Sequence, residues 1–353
     1  MKKIMLYVVL IILAISMISV FSFTGCKPVT TAAEETAAEE TAAEETAAAE
    51  ETKAVAEEQL TFTLSCQFAA NVLINRIIFG MDVAGEDLGV KVNFIAPESG
   101  TVPDQVNQLI SAIAAKPDGI AILVTENVAF QDAIKTCNEQ GIPWGTFNTG
   151  DPGVGPEQLF YVGAVHYDSG VAIAEKALKD FTPKRYLVVD PLPGHSALDL
   201  RLKGIQDVMA EAGIPGDFID STNEVAESVT RTKAYIIENP DTDCIFPIGV
   251  FQNKTTVDAI EELGKKAGQD IMVYPHDVES FTLDAIKDGR IAATSDQQMF
   301  LQGYLPVMYL YLFVKYGQIP PMVNATGPAI YDKSNIAKFE AIVNAVKERY
   351  GEG

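Results

Sequence analysis

From residue 60 to the end of the chain, short apolar runs alternate with longer amphipathic stretches. The runs are about five to seven residues long and the stretches about 12 to 18, a pattern typical of a parallel sheet flanked by helices. The pattern predicts an α/β fold with strands at residues 60–65, 91–95, 119–124, 142–147, 185–189, 244–248, 271–274 and 291–295. It predicts helices at residues 71–88, 103–115, 128–140, 169–181, 199–212, 225–238, 255–267 and 280–288.

The strand-helix unit repeats about four times before Gly163 and about four times after it. This even division favours two doubly wound lobes over one very wide sheet, and about 290 residues are enough for two lobes. Ligands of such sheets bind at the carboxyl ends of the strands. Two lobes that face each other would therefore line one cleft.

Composition and charge argue against several classes of function. The formal net charge is −22 and no basic stripe occurs, so the surface that binds DNA or RNA is missing. Cys66, Cys137 and Cys244 are widely spaced and form no Cys-x-x-Cys pair, so neither a disulfide framework nor a zinc site is indicated. We expect these cysteines to be small buried side chains, with a single disulfide left open as the alternative.

Residues 1–26 have the features of an export signal, namely two lysines at the start and then a long uncharged apolar run. The run ends in small residues before Cys26, which resembles the lipobox of bacterial lipoproteins. Thr24 and Gly25 match that pattern, whereas Phe23 stands where leucine is usual. We expect a lipid on Cys26 to anchor the chain to a membrane. The alternative is a transmembrane anchor, and either one places the domain outside the cytoplasm.

Residues 27–59 have the composition of a tether, because Thr-Ala-Ala-Glu-Glu repeats supply ten glutamates and only one lysine between residues 31 and 58. Such a segment has no apolar residue larger than Val55, so it has nothing around which to build a core. We expect a semi-rigid acidic spacer that holds the domain away from an acidic membrane surface. A neutral filler of no particular composition is the alternative.

Beyond residue 60 the chain carries a series of short motifs in a fixed order. They are Gly80 with Leu88-Gly89-Val90, Asp104-Gln105-x-x-Gln108, Lys116-Pro117-Asp118-Gly119-Ile120, Gly141-Ile142-Pro143, Arg201-x-x-Gly204 and the run from Asp284 to Thr294. In this order and spacing, the chain resembles the type I periplasmic binding proteins of the ribose/galactose-binding group.

The resemblance implies two doubly wound parallel-sheet lobes joined by a hinge that the chain crosses several times, near Ala164, Gln297 and Thr326. The N-terminal lobe would comprise residues 60–164 plus 298–325, and the C-terminal lobe residues 165–297 plus 326–353. A monomer without a cofactor would close around a small polar ligand, a carbohydrate above all, and deliver it to the permease of an ABC importer. A receptor that reports the ligand to a chemoreceptor or sensor kinase is the alternative, since both use the same closure.

The resemblance also implies ligand-binding residues, whose amide, carboxylate and guanidinium groups suit the adjacent hydroxyls of a sugar. The family's positions correspond to Asn71, Asn148, Arg201, Asp277 and Gln297. Other strand ends add Gln67, Phe68, Thr125 and Glu126, and the poorly matching segment 246–256 adds Gln252 and Asn253. Each has a structural alternative: Asn71 suits a helix N-cap, Asn148 a turn, and Arg201 a surface ion pair with Asp199.

Two departures from the family bear on the ligand. Leu73 and Ile74 stand where the family often has a pair of aromatic residues that stack on a sugar ring. Asn148-Thr149 replaces a frequent Asp-Arg pair. Phe68 or Phe251 could supply the missing aromatic wall, or the ligand could be less ring-like than a common hexose or ribose.

The sequence contains no complete enzyme motif among those considered. Gly194-His195-Ser196 begins like the Gly-x-Ser-x-Gly elbow of hydrolases, but Leu198 stands where the second glycine is required. The three histidines, His166, His195 and His276, are dozens of residues apart and have no cysteine partner, so a metal site is not indicated. We therefore expect a binding protein without catalytic residues or metal.

Overall fold

The computed structural model of this protein describes residues 59–69, 71, 73–149 and 153–351. The predicted signal sequence with Cys26, and the predicted tether up to residue 58, lie outside the described residues.

The described residues form twelve strands and ten helices. The strands are β1 (Thr61–Ser65), β2 (Lys91–Ile95), β3 (Gly119–Ile122), β4 (Trp144–Phe147), β5 (Gln158–Gly163), β6 (Tyr186–Asp190), β7 (Gly216–Asp220), β8 (Cys244–Pro247), β9 (Met272–Val273), β10 (Ala293–Asp296), β11 (Val323–Ala325) and β12 (Ala329–Asp332). The helices are α1 (Ile74–Leu88), α2 (Val102–Ala114), α3 (Asn127–Gln140), α4 (His166–Asp180), α5 (Ser196–Glu211), α6 (Val225–Glu238), α7 (Val250–Glu262), α8 (Ser280–Asp288), α9 (Met299–Tyr316) and α10 (Ala337–Tyr350).

The strands form two parallel sheets and one antiparallel pair. The first sheet has the order β11-β5-β4-β3-β1-β2 and the second the order β7-β6-β8-β9, while β10 pairs with β12. The central strands β3, β4, β6 and β8 are buried along their whole length, as expected for parallel strands covered by helices on both faces. The α/β fold class predicted from the alternating pattern is confirmed.

Each sheet has its own hydrophobic core. Helices α1 and α9 pack on one face of the six-stranded sheet and α2 and α3 on the other. Helices α4 and α5 cover one face of the four-stranded sheet, and α6, α7, α8 and α10 cover the other. We call these two units the first body and the second body. The chain passes between them at three places, after β5, after β10 and after β11.

Glycines allow the helices within each body to lie very close together. In the second body, a Cβ on Gly170 of α4 would collide with the backbone of Arg201 in α5, and one on Gly204 would collide with the backbone of Tyr167. In the first body, Gly80 of α1 and Gly303 of α9 meet in the same way. The glycine of the Arg-x-x-Gly motif therefore sets the distance between α4 and α5, and with it the place of Arg201.

The sequence pattern missed β5, β7, β11, β12, α9 and α10. Helix α9 has apolar residues around its whole circumference, so it lacks the amphipathic period that marks a helix. Strand β7 is an edge strand with exposed polar residues and gives no apolar run. The predicted helix at 255–267 is wrong in its bounds, because α7 begins directly after Gly249, where Val250 and Phe251 read as a continuation of the apolar strand β8.

Two further sequence-level expectations concern the described residues. Cys66, Cys137 and Cys244 are free and buried, so the open alternative of a disulfide among them is not realised. None of the helices in the described ranges combines the length and the apolar character needed to span a membrane.

Candidate ligand-binding site

The structure joins three of the predicted site residues directly. Arg201 Nη1 donates a hydrogen bond of 2.8 Å to the carbonyl of Ile248 and lies 3.2 Å from Asp277 Oδ2. The Arg201 and Asp277 side chains are each 3% exposed, so the pair is buried. Gln297 Nε2 donates to the other carboxylate oxygen, Asp277 Oδ1, at 2.7 Å. Arg201 therefore forms a buried ion pair, and the alternative of a surface pair with Asp199 is not what the structure shows.

The backbone at Asp277 is held in an unusual conformation. Its φ is 64°, in the left-handed region that aspartate tolerates better than most residues. Asn253 braces this turn, because its Nδ2 donates to the His276 carbonyl and to Thr282 Oγ1, both at 3.0 Å. Gln252, on the same first turn of α7, donates to the Thr222 carbonyl at 3.1 Å. The side-chain amides of Gln252 and Asn253 are thus buried beside the site, where they hold the neighbouring backbone in place.

Asn148, at the carboxyl end of β4, extends the site into the first body. Its Nδ2 donates to Gln302 Oε1 at 2.8 Å, and Gln302 Nε2 donates to the Gln297 carbonyl at 3.0 Å. Thr326 Oγ1 donates to the same carbonyl at 2.7 Å. Asn148, Gln302, Gln297, Asp277 and Arg201 therefore form one connected series, which we call the central polar chain. Gln297 lies at one of the three places where the polypeptide passes between the bodies, and Thr326, which bonds to the Gln297 carbonyl, lies at a second.

Other predicted residues lie at the carboxyl ends of β1 and β3. Gln67 Nε2 donates to the Gly100 carbonyl at 2.9 Å, and Thr125 Oγ1 donates to Gln67 Oε1 at 2.8 Å. Phe68 is 40% exposed, and Glu126 is an exposed residue that precedes α3 without a side-chain capping bond. These four residues form a second, more exposed group on the first body.

Asn71 has the capping role that was its structural alternative, and its contact with a ligand stays a prediction. Its Oδ1 accepts hydrogen bonds from the backbone N–H groups of Leu73 and Ile74, at 3.0 and 3.1 Å. These are the amides that a capping side chain satisfies at the start of a helix, here α1. Ile74 is buried in the core of the first body and Leu73 packs against that core.

The three histidines lie within electrostatic range of Arg201 although the sequence separates them widely. His166 begins α4, His195 precedes α5, and His276 lies beside Asp277, and the Arg201 charge acts on all three. Burial, and then the Arg201 charge, lowers the pKa of His166 to about 3. The same two causes lower the pKa of His195 and of His276, so all three rings are neutral at pH 7.

Sequence reasoning weighed these histidines only as metal ligands and missed their proximity to Arg201, as it missed Gln302. The one local signal was that His195 stands six residues before Arg201 and His276 stands next to Asp277. Within the described ranges, no three His, Cys, Asp or Glu side chains are arranged to hold a metal ion.

Several buried polar atoms around the site have no hydrogen-bond partner among the described residues. They are Arg201 Nε, Gln252 Oε1, Asn253 Oδ1, Asp190 Oδ2, Asp296 Oδ2, His195 Nδ1, His276 Nε2 and both ring nitrogens of His166. An unsatisfied buried polar group costs about 1–3 kcal/mol, so atoms of this kind normally bind water or a ligand. The set mixes donors and acceptors, which a molecule rich in hydroxyl groups satisfies because each hydroxyl both donates and accepts.

The chain matches the family described as the periplasmic binding protein domain over residues 62–318. It belongs to that family. This binding protein is 26% identical, over 275 residues, to the xylose/arabinose-binding protein XylF of Sulfolobus acidocaldarius, covering 74% of this chain and 68% of XylF. It is 27% identical to a periplasmic sugar-binding protein of an ABC sugar transporter from Legionella pneumophila, with a TM-score of 0.68 and coverage of 76% of this chain and 100% of that one.

A carbohydrate transporter protein from Acidothermus cellulolyticus, solved in complex with myo-inositol, has the same fold with a TM-score of 0.70 at 22% identity. That match covers 82% of this chain and 99% of the other. Membership of the family confirms two predictions, that the chain is a type I periplasmic binding protein and that it binds a ligand rather than catalysing a reaction. It also implies a location outside the cytoplasm. The individual contacts to the ligand stay predictions.

Proposed function

We propose that this protein captures a neutral sugar or sugar-like polyol between its two bodies and presents it to the permease of an ABC importer. The observation that carries the proposal is the central polar chain, which runs from Asn148 in the first body to Arg201 in the second. Polar atoms without partners at its Arg201 end include Arg201 Nε and the Oδ1 of Asn253, whose amide bonds to the backbone at His276 and Asp277. A ligand that binds there contacts both bodies and stabilises the arrangement in which they face each other.

The charge of the site favours a neutral ligand. Arg201 and Asp277 neutralise each other at 3.2 Å, and the three histidines beside Arg201 are neutral. Burial raises the pKa of Asp296 to about 6, which reduces its negative charge near neutral pH. A carboxylate on the ligand would therefore lose its hydration without gaining an unpaired positive charge.

Apolar contact with a sugar ring would come from few side chains. Ile74 stands at one of the two positions where the family often has an aromatic residue, but it is buried in the core of the first body and does not face a ligand. Phe68 is 40% and Phe251 59% exposed, and either ring is available for stacking. XylF is named for xylose and arabinose, and these pentoses, together with myo-inositol, are the first ligands we would test.

Closure would follow the predicted lobes, residues 60–164 plus 298–325 and residues 165–297 plus 326–353, about crossings near Ala164, Gln297 and Thr326. A lipid on Cys26 would hold the protein at the membrane, and the acidic spacer at residues 27–59 would give it reach to the permease. Metabolic labelling with an alkyne fatty acid tests the anchor, since the wild-type chain should carry the label and Cys26→Ser should lose it. Equal labelling of the two chains would contradict lipidation at Cys26.

Thermal unfolding with a panel of ligands tests the binding function. D-xylose, arabinose, galactose and myo-inositol are compared with an amino acid and a nucleoside. A ligand at 100 times its Kd stabilises the folded chain by about 2.7 kcal/mol, which raises Tm by a few degrees. Arg201→Met should abolish the shift, whereas Arg231→Met, at an arginine whose ion pairs are on the surface of the second body, should keep it. The proposal fails if no carbohydrate or polyol shifts Tm.

A further inference from the structure

Helices α1 and α10 touch although they belong to different bodies. Ile77 and Met81 bury α1 in the core of the first body. Phe339 and Val343 bury the first half of α10 in the core of the second body, and Lys287 of α8 adds an ion pair of 2.6 Å to Glu340. Helix α10 is thus fixed to the second body, while its C-terminal end reaches across to the first.

The contact at that end is polar and specific. Arg349 Nη2 lies 3.2 Å from Asp82 Oδ2 and 3.2 Å from Glu86 Oε1. Tyr350 donates its hydroxyl to Asp82 Oδ2 at 2.6 Å. Asp82 and Glu86 are four residues apart and therefore lie on one face of α1.

A second contact between the bodies lies at the first turn of α1. Arg76 is 2% exposed and donates a hydrogen bond to the carbonyl of Val278, which belongs to the second body. Its guanidinium lies 5.3 Å from the ring centre of Phe339 in α10 and 3.7 Å from Asp296 Oδ2. Helix α1 is therefore held by the second body at both of these positions along its length.

We infer that Arg349 and Tyr350 act as a clasp that holds the two bodies together and so raises the affinity for the ligand without touching it. Rotation of the bodies away from each other separates α10 from α1 and breaks these contacts, so the clasp favours the closed arrangement alone. A partly exposed pair of this kind is weak, and we expect it to change the ratio of closed to open molecules roughly three- to tenfold. These two residues thus act on ligand binding indirectly, through the fraction of molecules in which the two bodies are closed.

The closed fraction of the ligand-free chain is measured by the distance between two spin labels. Lys135→Cys in α3 and Glu211→Cys in α5 place one exposed label on each body, in a Cys26→Ser background. The remaining cysteines are buried, and burial raises the pKa of Cys66 to about 12 and of Cys137 to about 11, so they resist labelling.

Tyr350→Phe and Arg349→Glu should each move molecules from the shorter to the longer distance by roughly three- to tenfold in their ratio. Matched controls lie within the second body: Tyr167→Phe removes a hydroxyl bonded to Asp207, and Arg231→Glu breaks surface ion pairs. The controls should leave the distances unchanged. The inference is overturned if the clasp variants behave like the controls.

A charge exchange provides the second test. Asp82→Arg combined with Arg349→Glu restores an attractive pair between α1 and α10, so the distances should return toward those of the wild-type chain. Absence of any recovery, with both variants folded by circular dichroism, would overturn the inference as well. Both measurements use the ligand-free chain, so they decide the clasp independently of whether a sugar binds.

Discussion

Removing the charge of Arg201 should destabilise the ligand-free protein strongly. In Arg201→Met, Asp277 keeps only its hydrogen bond from Gln297, and the carbonyl of Ile248 loses its donor at 2.8 Å. Breaking one partner of a buried ion pair costs about 3–5 kcal/mol, because the remaining charge stays away from water without compensation. The unsatisfied carbonyl alone accounts for about 1–3 kcal/mol of that cost.

Asp277→Asn is the matched change on the other side of the pair. Asparagine tolerates the left-handed backbone at this position, where φ is 64°, so the substitution removes the charge without straining the turn. It leaves Arg201 buried and unpaired, and we expect a loss of about 2–4 kcal/mol. In the double variant no unpaired charge remains, so its loss should be smaller than the sum of the two single losses by about 1.5 kcal/mol or more.

Urea unfolding of the four chains at pH 7, followed by circular dichroism, measures these differences. Glu227→Gln, at a surface partner of Arg231, serves as a control that should change the free energy of unfolding by less than about 0.5 kcal/mol. A loss below about 1 kcal/mol in Arg201→Met, or additive losses in the double variant, would refute a strongly coupled buried pair.

Three other properties follow from the same geometry. Because the pKa of His166 is about 3 in the folded chain and near 6.5 when unfolded, the unfolded chain takes up the proton first as pH falls, and stability decreases through this window. Between pH 7 and pH 5, His166→Gln should therefore lose about 2 kcal/mol less than the wild-type chain in urea unfolding, and an equal loss would contradict the buried neutral ring. Gly204→Ala forces α5 away from α4, so it should lower the free energy of unfolding by about 1–3 kcal/mol and weaken ligand binding measured by calorimetry. Unchanged affinity would show that the distance between the two helices does not determine the position of the Arg201 side chain. In a Cys26→Ser chain, a thiol reagent at pH 8 should find no reactive cysteine until urea exposes Cys66, Cys137 and Cys244, and rapid reaction of the folded chain would contradict their burial.

Much of the fold followed from local pattern. The predicted strand at residues 91–95 and helices at 225–238 and 280–288 match the observed elements, because in each the apolar spacing has one consistent period. The same reasoning missed helix α9 because the residues on its partly exposed side are apolar as well, so the helix has no polar face. Edge strands such as β7 were missed because only a buried strand needs a run of apolar residues, and β7 is largely exposed.

Some residues of the candidate site could likewise be identified from the sequence, and others could not. Arg201 was identified from the sequence only through the Arg-x-x-Gly motif that the chain shares with the family. The structure gives the reason for its glycine, because a Cβ on Gly204 would collide with the backbone of α4. Gln302 had no such signal, since it acts through Asn148, a residue more than 150 positions earlier. Asn71 satisfied its local role as a helix cap, and its sequence position alone could not separate that role from ligand binding.

The sequence by itself therefore determined the alternation of strands and helices, the family, and the set of polar side chains at strand ends. Only the tertiary structure decided which of those side chains share one site, because their distances depend on how two separate sheets and three crossings of the chain are arranged in space. It also decided that the charge of Arg201 acts on His166, His195 and His276 and that Arg349 reaches Asp82. Contacts between bodies leave no periodic trace in a sequence, since each partner satisfies only its own helix or strand locally.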